Sequence, residues 1–162
     1  TNIYRFLFIS ILGTLLHFTY EWSQNNAIVG LFSAVNESTW EHLKLLFFPM
    51  FFLTLFELFF FRDRLPKNFL QVRTCGIFLG MGLIVVVFYT LLGVIGTSID
   101  FLNIALFFVA VWSENKQYRN SESKKETSSI AFSILLIFTL LFFVFTFLPP
   151  DIGLFWEITK VC

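Results

Sequence analysis

The chain has 162 residues and a net charge of zero, with 57% hydrophobic residues, only 14% charged residues and 25 phenylalanines. Because soluble domains carry about 25% charged residues, this composition excludes an ordinary soluble domain and favours a membrane protein. Zero net charge gives no electrostatic basis for a nucleic-acid partner, and two cysteines, Cys75 and Cys162, make no disulfide framework.

Five apolar blocks follow one another along the chain and predict transmembrane helices. A helix rises about 1.5 Å per residue, so roughly 20 residues are needed to cross about 30 Å of hydrocarbon. Four blocks reach this length, whereas the fourth is short and carries Asp100 and Asn103. The first block runs into His17 and Glu21 rather than a small-residue cleavage site, so we interpret it as a retained span. The predicted spans cover residues 3–20, 43–61, 74–96, 98–113 and 129–148.

The basic residues predict how many of these blocks cross the membrane. Lys and Arg that flank transmembrane helices remain on the cytoplasmic side. They occur at the start of block one (Arg5), between blocks two and three and between blocks four and five, and they are missing from the two remaining connections. All the connections with basic residues lie on one side of the membrane only if the fourth block also crosses it. The sequence therefore predicts an all-α integral membrane protein, a single domain over 1–162, with five transmembrane helices, the N-terminus inside and the C-terminus outside.

Polar side chains collect at the outer ends of the first two predicted helices. His17 and Glu21 are one turn apart on the face that also carries Ser10. Such a stripe is expected to face the bundle interior, because polar groups are costly to expose to hydrocarbon. Residues 36–44 read Asn-Glu-Ser-Thr-Trp-Glu-His-Leu-Lys and bring His42 to the same level of the membrane. Both histidines are therefore predicted to meet at the outer face.

This cluster has two chemical interpretations. The first is a divalent metal such as zinc, which accepts imidazole and carboxylate ligands and in catalytic centres keeps one position open. The second is an acid–base site in which Glu41 and His42 transfer protons while Lys44 holds an anionic group such as a lipid phosphate. The spacing matches no established zinc signature. The candidate metal ligands are His17, Glu21, Glu41 and His42.

Structural roles account for the same residues without any chemistry. Ser38 and Glu41 are spaced as a capping box, in which the serine caps a helix and the glutamate returns a bond to the serine N–H. Lys44 can pair with Glu41 or Glu37, or extend to the lipid headgroups. The segment from 151 to 162 is expected to lie in the outer interface and to cover the cluster. The further polar candidates for the site are Glu37, Ser38, Asp100 and Asn103.

Helix packing has two further signals. The small-residue motif Gly76-x-x-x-Gly80, with Gly82, gives the third predicted helix a face for close approach of a neighbour. Glu57 lies near the inner end of the second predicted helix, where it is expected either to form an ion pair with Arg62 or Arg64 or to extend to the membrane interface.

The polar segments resemble a family of uncharacterised small bacterial membrane proteins. The resemblance rests on residues 13–23, Gly-Thr-Leu-Leu-His-Phe-Thr-Tyr-Glu-Trp-Ser, and on the Asn-Glu-Ser-x-Trp-Glu-His-x-Lys motif at 36–44. It implies a multi-pass protein of the bacterial cytoplasmic membrane and implies no activity. The residues that it emphasises are His17, Glu37, Ser38, Trp40, Glu41, His42 and Lys44.

The sequence therefore favours a membrane protein in contact with lipids, whose His/Glu cluster forms a metal-dependent or acid–base site for a lipid or membrane-embedded substrate. The alternative is a non-catalytic transporter or accessory subunit in which the cluster holds the first two helices together. A transporter should carry polar groups through to the inner face, where Glu57 is the single acid within a predicted span. The sequence leaves enzymatic activity open and identifies no protein partner.

Overall fold

The computed structural model describes residues 2–95 and 128–157, and its regular elements in these two segments are all helical. The predicted fourth span, 98–113, with Asp100 and Asn103, lies outside the described residues. Short 3-10 turns follow α3 and α5, at Arg62–Arg64 and Gly153–Phe155. The helices are α1 Asn2–Trp22, α2 Ala27–Gly30, α3 Thr39–Phe60, α4 Phe69–Ile95 and α5 Ser128–Phe147.

Within the described segments, α1, α3, α4 and α5 are long and apolar enough to cross a membrane. They correspond to four of the five predicted spans. Many of their large apolar side chains are exposed, including Phe59 at 83% and Val94 at 79%, which suits contact with lipid acyl chains. α3 and α4 begin four and five residues before the predicted spans, at Thr39 and Phe69, because a helix can continue past the apolar block into the polar interface.

α3 is the central helix of the bundle. It packs against α1, α4 and α5, and most of its residues are buried. Up to Thr54 its neighbours enclose it, so this part has no polar face to present to water, and α3 is accordingly apolar around most of its circumference. The side chains that are fully buried in the core are Ile9, Leu46, Phe47, Phe48, Met50, Ile77, Leu135 and Phe142.

Contacts at the two ends of α3 show that α1 runs antiparallel to it. At one end, which we call the Glu57 end, Arg5 Nε donates to Glu57 Oε1 at 2.6 Å. At the other, which we call the His42 end, the rings of His17 and His42 have centroids 5.5 Å apart. α1 therefore begins where α3 ends, and both histidines lie at one level, as the sequence predicted.

α4 and α5 both run from the Glu57 end to the His42 end. α4 begins at the Glu57 end, where Arg73 donates to Glu57 Oε2 at 2.5 Å, and near its other end the Tyr89 hydroxyl donates to Gly153 O at 3.2 Å. α5 begins beside the start of α4 and ends where Thr146 accepts a hydrogen bond from Lys44 at 2.7 Å. The two helices are therefore parallel.

The partners of Glu57 differ from those that the sequence predicted. Its carboxylate pairs with Arg5 and Arg73, and not with Arg62 or Arg64. The chain leaves α3 at Phe60 and turns through the 3-10 segment, which leaves Arg62 and Arg64 exposed. α1 and α4 instead bring arginines that are distant in sequence against the same carboxylate.

The small-residue face of α4 is only partly as predicted. Gly76 and Gly80 are buried, as expected for a face that packs closely. Gly82 is exposed, and a Cβ placed on it would meet nothing within 4 Å. Including Gly82 in the packed face was wrong, because it is two residues beyond Gly80 and therefore rotated away on the helix.

Candidate functional site

The site is built around the start of α3. Ser38 is the N-cap, and its side chain accepts a hydrogen bond from the Glu41 N–H at 3.3 Å. The return bond of a capping box does not form, since the Ser38 N–H donates to Asn36 Oδ1 at 3.0 Å. The Glu41 carboxylate instead accepts from the Val35 N–H at 3.0 Å. Half of the predicted capping box is therefore present, and Glu41 is turned toward the preceding loop.

The same cap brings Glu37 and His42 together. With Ser38 as N-cap, Glu37 precedes the cap and His42 is the fourth helical residue, and side chains at these two positions commonly pack across a helix start. Here the contact is polar, with Glu37 Oε2 3.3 Å from His42 Nε2. The sequence therefore contained a signal for Glu37: this residue directly precedes the N-cap, and a histidine lies four residues after the cap.

His17 completes a three-residue cluster, which we call the His/Glu site: His17, Glu37 and His42. One ligand atom from each residue lies within 4.8 Å of the other two, a spacing that could hold a metal ion. Neither Glu21 nor Glu41 belongs to this group. Glu21 lies exposed on the last turn of α1.

The hydrogen bonding of the two imidazoles differs. His42 Nδ1 lies 2.9 Å from the Ser38 carbonyl oxygen, and because a carbonyl only accepts, Nδ1 carries the proton. His42 Nε2 faces the Glu37 carboxylate at 3.3 Å, so it donates a hydrogen bond when the imidazole is protonated and directs its lone pair at the carboxylate when the imidazole is neutral. Two acceptors in contact need a proton or a cation between them. His17 Nδ1 is also buried, and within the described residues it has no hydrogen-bond partner.

The electrostatics of Glu37 favour a ligand that stays ionised. When the His42 imidazole is protonated, its hydrogen bond to Glu37 holds the pKa of the Glu37 carboxyl below its usual range, and the positive charges of His42 and His17 act in the same direction. Partial burial opposes this effect without reversing it. The Glu37 side chain is 60% exposed, so the site is open on one side.

The spacing of the site suits zinc. Two ligands of a tetrahedral zinc ion, each about 2.0–2.2 Å from the metal, are about 3.3–3.5 Å apart. Glu37 and His42, at 3.3 Å, already meet this distance, and the ligand atom of His17 lies within 4.8 Å of both. Two histidines and one glutamate also form a ligand set of catalytic zinc centres, in which water takes the fourth position.

A second polar network lies beside the site and consists of Glu41 and Lys44 with their partners. The Lys44 ammonium is fully buried and lies 2.6 Å from Glu41 Oε2. It also donates to three oxygens, Gly30 O at 3.0 Å, Ser33 O at 3.3 Å and Thr146 Oγ1 at 2.7 Å. Of the pairings that the sequence left open for Lys44, the structure contains the one with Glu41. The ammonium is therefore satisfied within the protein.

The segment that follows α5 covers the start of α3. Glu157 forms an isolated β-bridge with Ser38, and Phe155 packs on Trp40 with ring centroids 4.8 Å apart. Trp40 is itself buried against Phe142 of α5. These contacts hold the N-cap of α3 in place, and with it the contact between Glu37 and His42.

Comparison with known proteins identifies the family. Residues 3–160 match the model of a family of unknown function, DUF6512. The chain belongs to this family. No curated protein and no solved structure matches it. The family description assigns no activity.

Proposed function

We propose that this protein is a membrane metalloprotein that binds zinc through His17, Glu37 and His42 and hydrolyses a lipid or another membrane-embedded substrate. The observation that carries the proposal is the convergence of these three side chains within 4.8 Å. The ligand set predicted from sequence shared both histidines but used Glu21 and Glu41. In this proposal Glu37 replaces them, because it alone of the three glutamates reaches the histidines in the group.

A zinc centre with three protein ligands supplies an activated water and polarises a carbonyl or phosphoryl oxygen. Water is then the second substrate: its hydroxyl adds to the acyl or phosphoryl centre, and its proton leaves with the released alcohol. The open side of the site, at Glu37, admits a polar head group. Phe18 and Trp22, which stack at 5.9 Å on the exposed side of α1, suit the apolar part of the same substrate.

We further propose the five-span topology in the bacterial cytoplasmic membrane, with the N-terminus inside and the His/Glu site at the outer face. The parallel course of α4 and α5 supports a fifth crossing, because the chain between them has to return to the Glu57 end before α5 begins. The basic residues Arg62, Arg64 and Lys67 between α3 and α4 support a cytoplasmic Glu57 end.

Metal analysis of the full chain in detergent tests the zinc site. Wild type is expected to purify with stoichiometric zinc, which His17→Ala, Glu37→Ala and His42→Ala lose. Glu21→Ala is the matched control, since Glu21 is an acid on α1 outside the His/Glu site, and it should retain zinc. Wild type that remains metal-free after incubation with zinc would overturn the proposal. Zinc lost from Glu21→Ala but kept in Glu37→Ala would return the ligand role to Glu21.

A second candidate function is a non-catalytic subunit. It is favoured by the Glu41 and Lys44 network, which joins α3 to the preceding loop and to α5. In that case the His/Glu site stabilises the packing of α1 on α3. Release of fatty acid or phosphate from vesicles of bacterial lipids separates the two: activity in wild type that is lost in His42→Ala supports the hydrolase, and full folding without turnover supports the subunit.

A further inference from the structure

The loop between α2 and α3, residues 31–38, carries Glu37 to the His/Glu site. It contains no long helix, so its conformation depends on bonds that it makes to its neighbours. Beside the β-bridge of Ser38 with Glu157, those bonds come from the two helices that bear the histidines.

From α3, the Glu41 and Lys44 pair binds the loop at two points and the last residue of α2 at a third. The Lys44 ammonium donates to the carbonyls of Gly30 and Ser33, and the Glu41 carboxylate accepts from the Val35 N–H. The two charged side chains are 0% and 3% exposed, so these bonds are shielded from water. The pair thus fixes the backbone immediately before Glu37.

From α1, the loop is bound through Ser33. The Ser33 hydroxyl contacts the Leu16 carbonyl, lies 3.0 Å from Thr19 Oγ1 and accepts from the Tyr20 N–H at 3.1 Å. Leu16 directly precedes His17, just as Glu41 directly precedes His42. The loop is therefore held on both sides by residues adjacent to the histidines of the site.

We propose that Glu41 and Lys44 are positioning residues of the His/Glu site, which hold the loop so that Glu37 meets both histidines. The inference rests on the proposed zinc function. A buried ion pair is often no more stabilising than an apolar pair of similar volume, so stability alone gives little reason for its presence. Residues that orient metal ligands typically change metal affinity by about 10–100-fold when they are replaced.

Cobalt binding to the full chain in detergent tests this role, because the visible spectrum of Co²⁺ reports its coordination geometry separately from protein stability. One variant is Glu41→Gln. The other is the double variant that combines Glu41→Gln with Lys44→Met, and this double variant leaves no uncompensated buried charge. Both are expected to raise the Co²⁺ dissociation constant about 10–100-fold and to alter the spectrum.

Glu57→Gln is the matched control. It weakens a buried ion pair on the same helix, about 24 Å from Glu41 at 1.5 Å per residue. We expect it to lower stability while affinity and spectrum stay as in wild type.

The outcomes separate this inference from the proposed function. Wild type that binds neither cobalt nor zinc overturns both. Wild type that binds cobalt, with unchanged affinity and spectrum in the double variant, overturns the positioning role and leaves the metal site standing. Loss of binding in Glu41→Gln as complete as in Glu37→Ala would make Glu41 a ligand and also overturn the positioning role. An altered spectrum in the double variant, with Glu57→Gln like wild type, supports it.

Discussion

The Lys44 ammonium is fully buried and meets four oxygen atoms. Lys44→Ala leaves the Glu41 carboxylate buried without its cation, so we expect it to lower the free energy of unfolding by about 3–5 kcal/mol. Thr146→Val removes one of the four oxygens and should cost about 1 kcal/mol. Denaturant unfolding in detergent measures both, and equally small losses would show that the ammonium is hydrated in solution.

Gly30 is a residue at which two parts of the chain approach closely. A Cβ there would lie 2.9 Å from Val35 Cγ1 and 3.0 Å from the Tyr20 ring. Gly30→Ala is therefore expected to destabilise the protein by about 1–3 kcal/mol. Gly82→Ala in α4 is the control, since its Cβ meets nothing within 4 Å and alanine favours a helix by about 0.5–1 kcal/mol. Thermal unfolding of both variants checks the prediction, and a stabilised Gly30→Ala would contradict it.

At the scale of elements, helix direction decides which face of the membrane each cysteine reaches. Cys75 is exposed on α4 near the Glu57 end, and Cys162 is the last residue of the chain. With five spans and the N-terminus inside, an impermeant maleimide added to intact cells should label Cys162 and leave Cys75 unlabelled until the membrane is permeabilised.

Single variants Cys75→Ser and Cys162→Ser identify each labelled position. Labelling of Cys75 from outside would reverse the proposed orientation. Labelling of Cys162 only after permeabilisation, with Cys75 behaving the same way, would remove the fifth crossing. The two cysteines thus test the orientation and the number of spans separately.

The capping of α3 shows how much an element's start can decide. Ser38 was recognisable in the sequence as the N-cap of α3. Once the N-cap is known, the residue just before it and the fourth helical residue are expected to lie side by side. Glu37 and His42 therefore had a predictable contact. The partner of Glu41 was less predictable, because three donors could reach its carboxylate: the Ser38 N–H, the Val35 N–H and the Lys44 ammonium. The last two bind it in the structure.

For the whole molecule, a metal bound in the proposed site would join α1 to the start of α3, and that link would be lost on unfolding. Zinc at 100 times its dissociation constant should therefore raise the unfolding free energy by about 2.7 kcal/mol, and a chelator should remove the gain. Glu37→Ala should show neither effect. Thermal unfolding in detergent with and without zinc measures this, and an equal zinc effect in Glu37→Ala would place the metal elsewhere.

The sequence by itself determined four spans that the structure contains and the level at which His17 and His42 meet. Both follow from local physics, because each apolar segment has its own free energy of transfer into hydrocarbon and each helix a fixed rise per residue. Only the tertiary structure decided that Glu37 joins the histidines, that Glu41 pairs with Lys44, and that Glu57 binds Arg5 and Arg73. These choices depend on how the helices are rotated and packed, which is set by contacts between residues far apart in the chain.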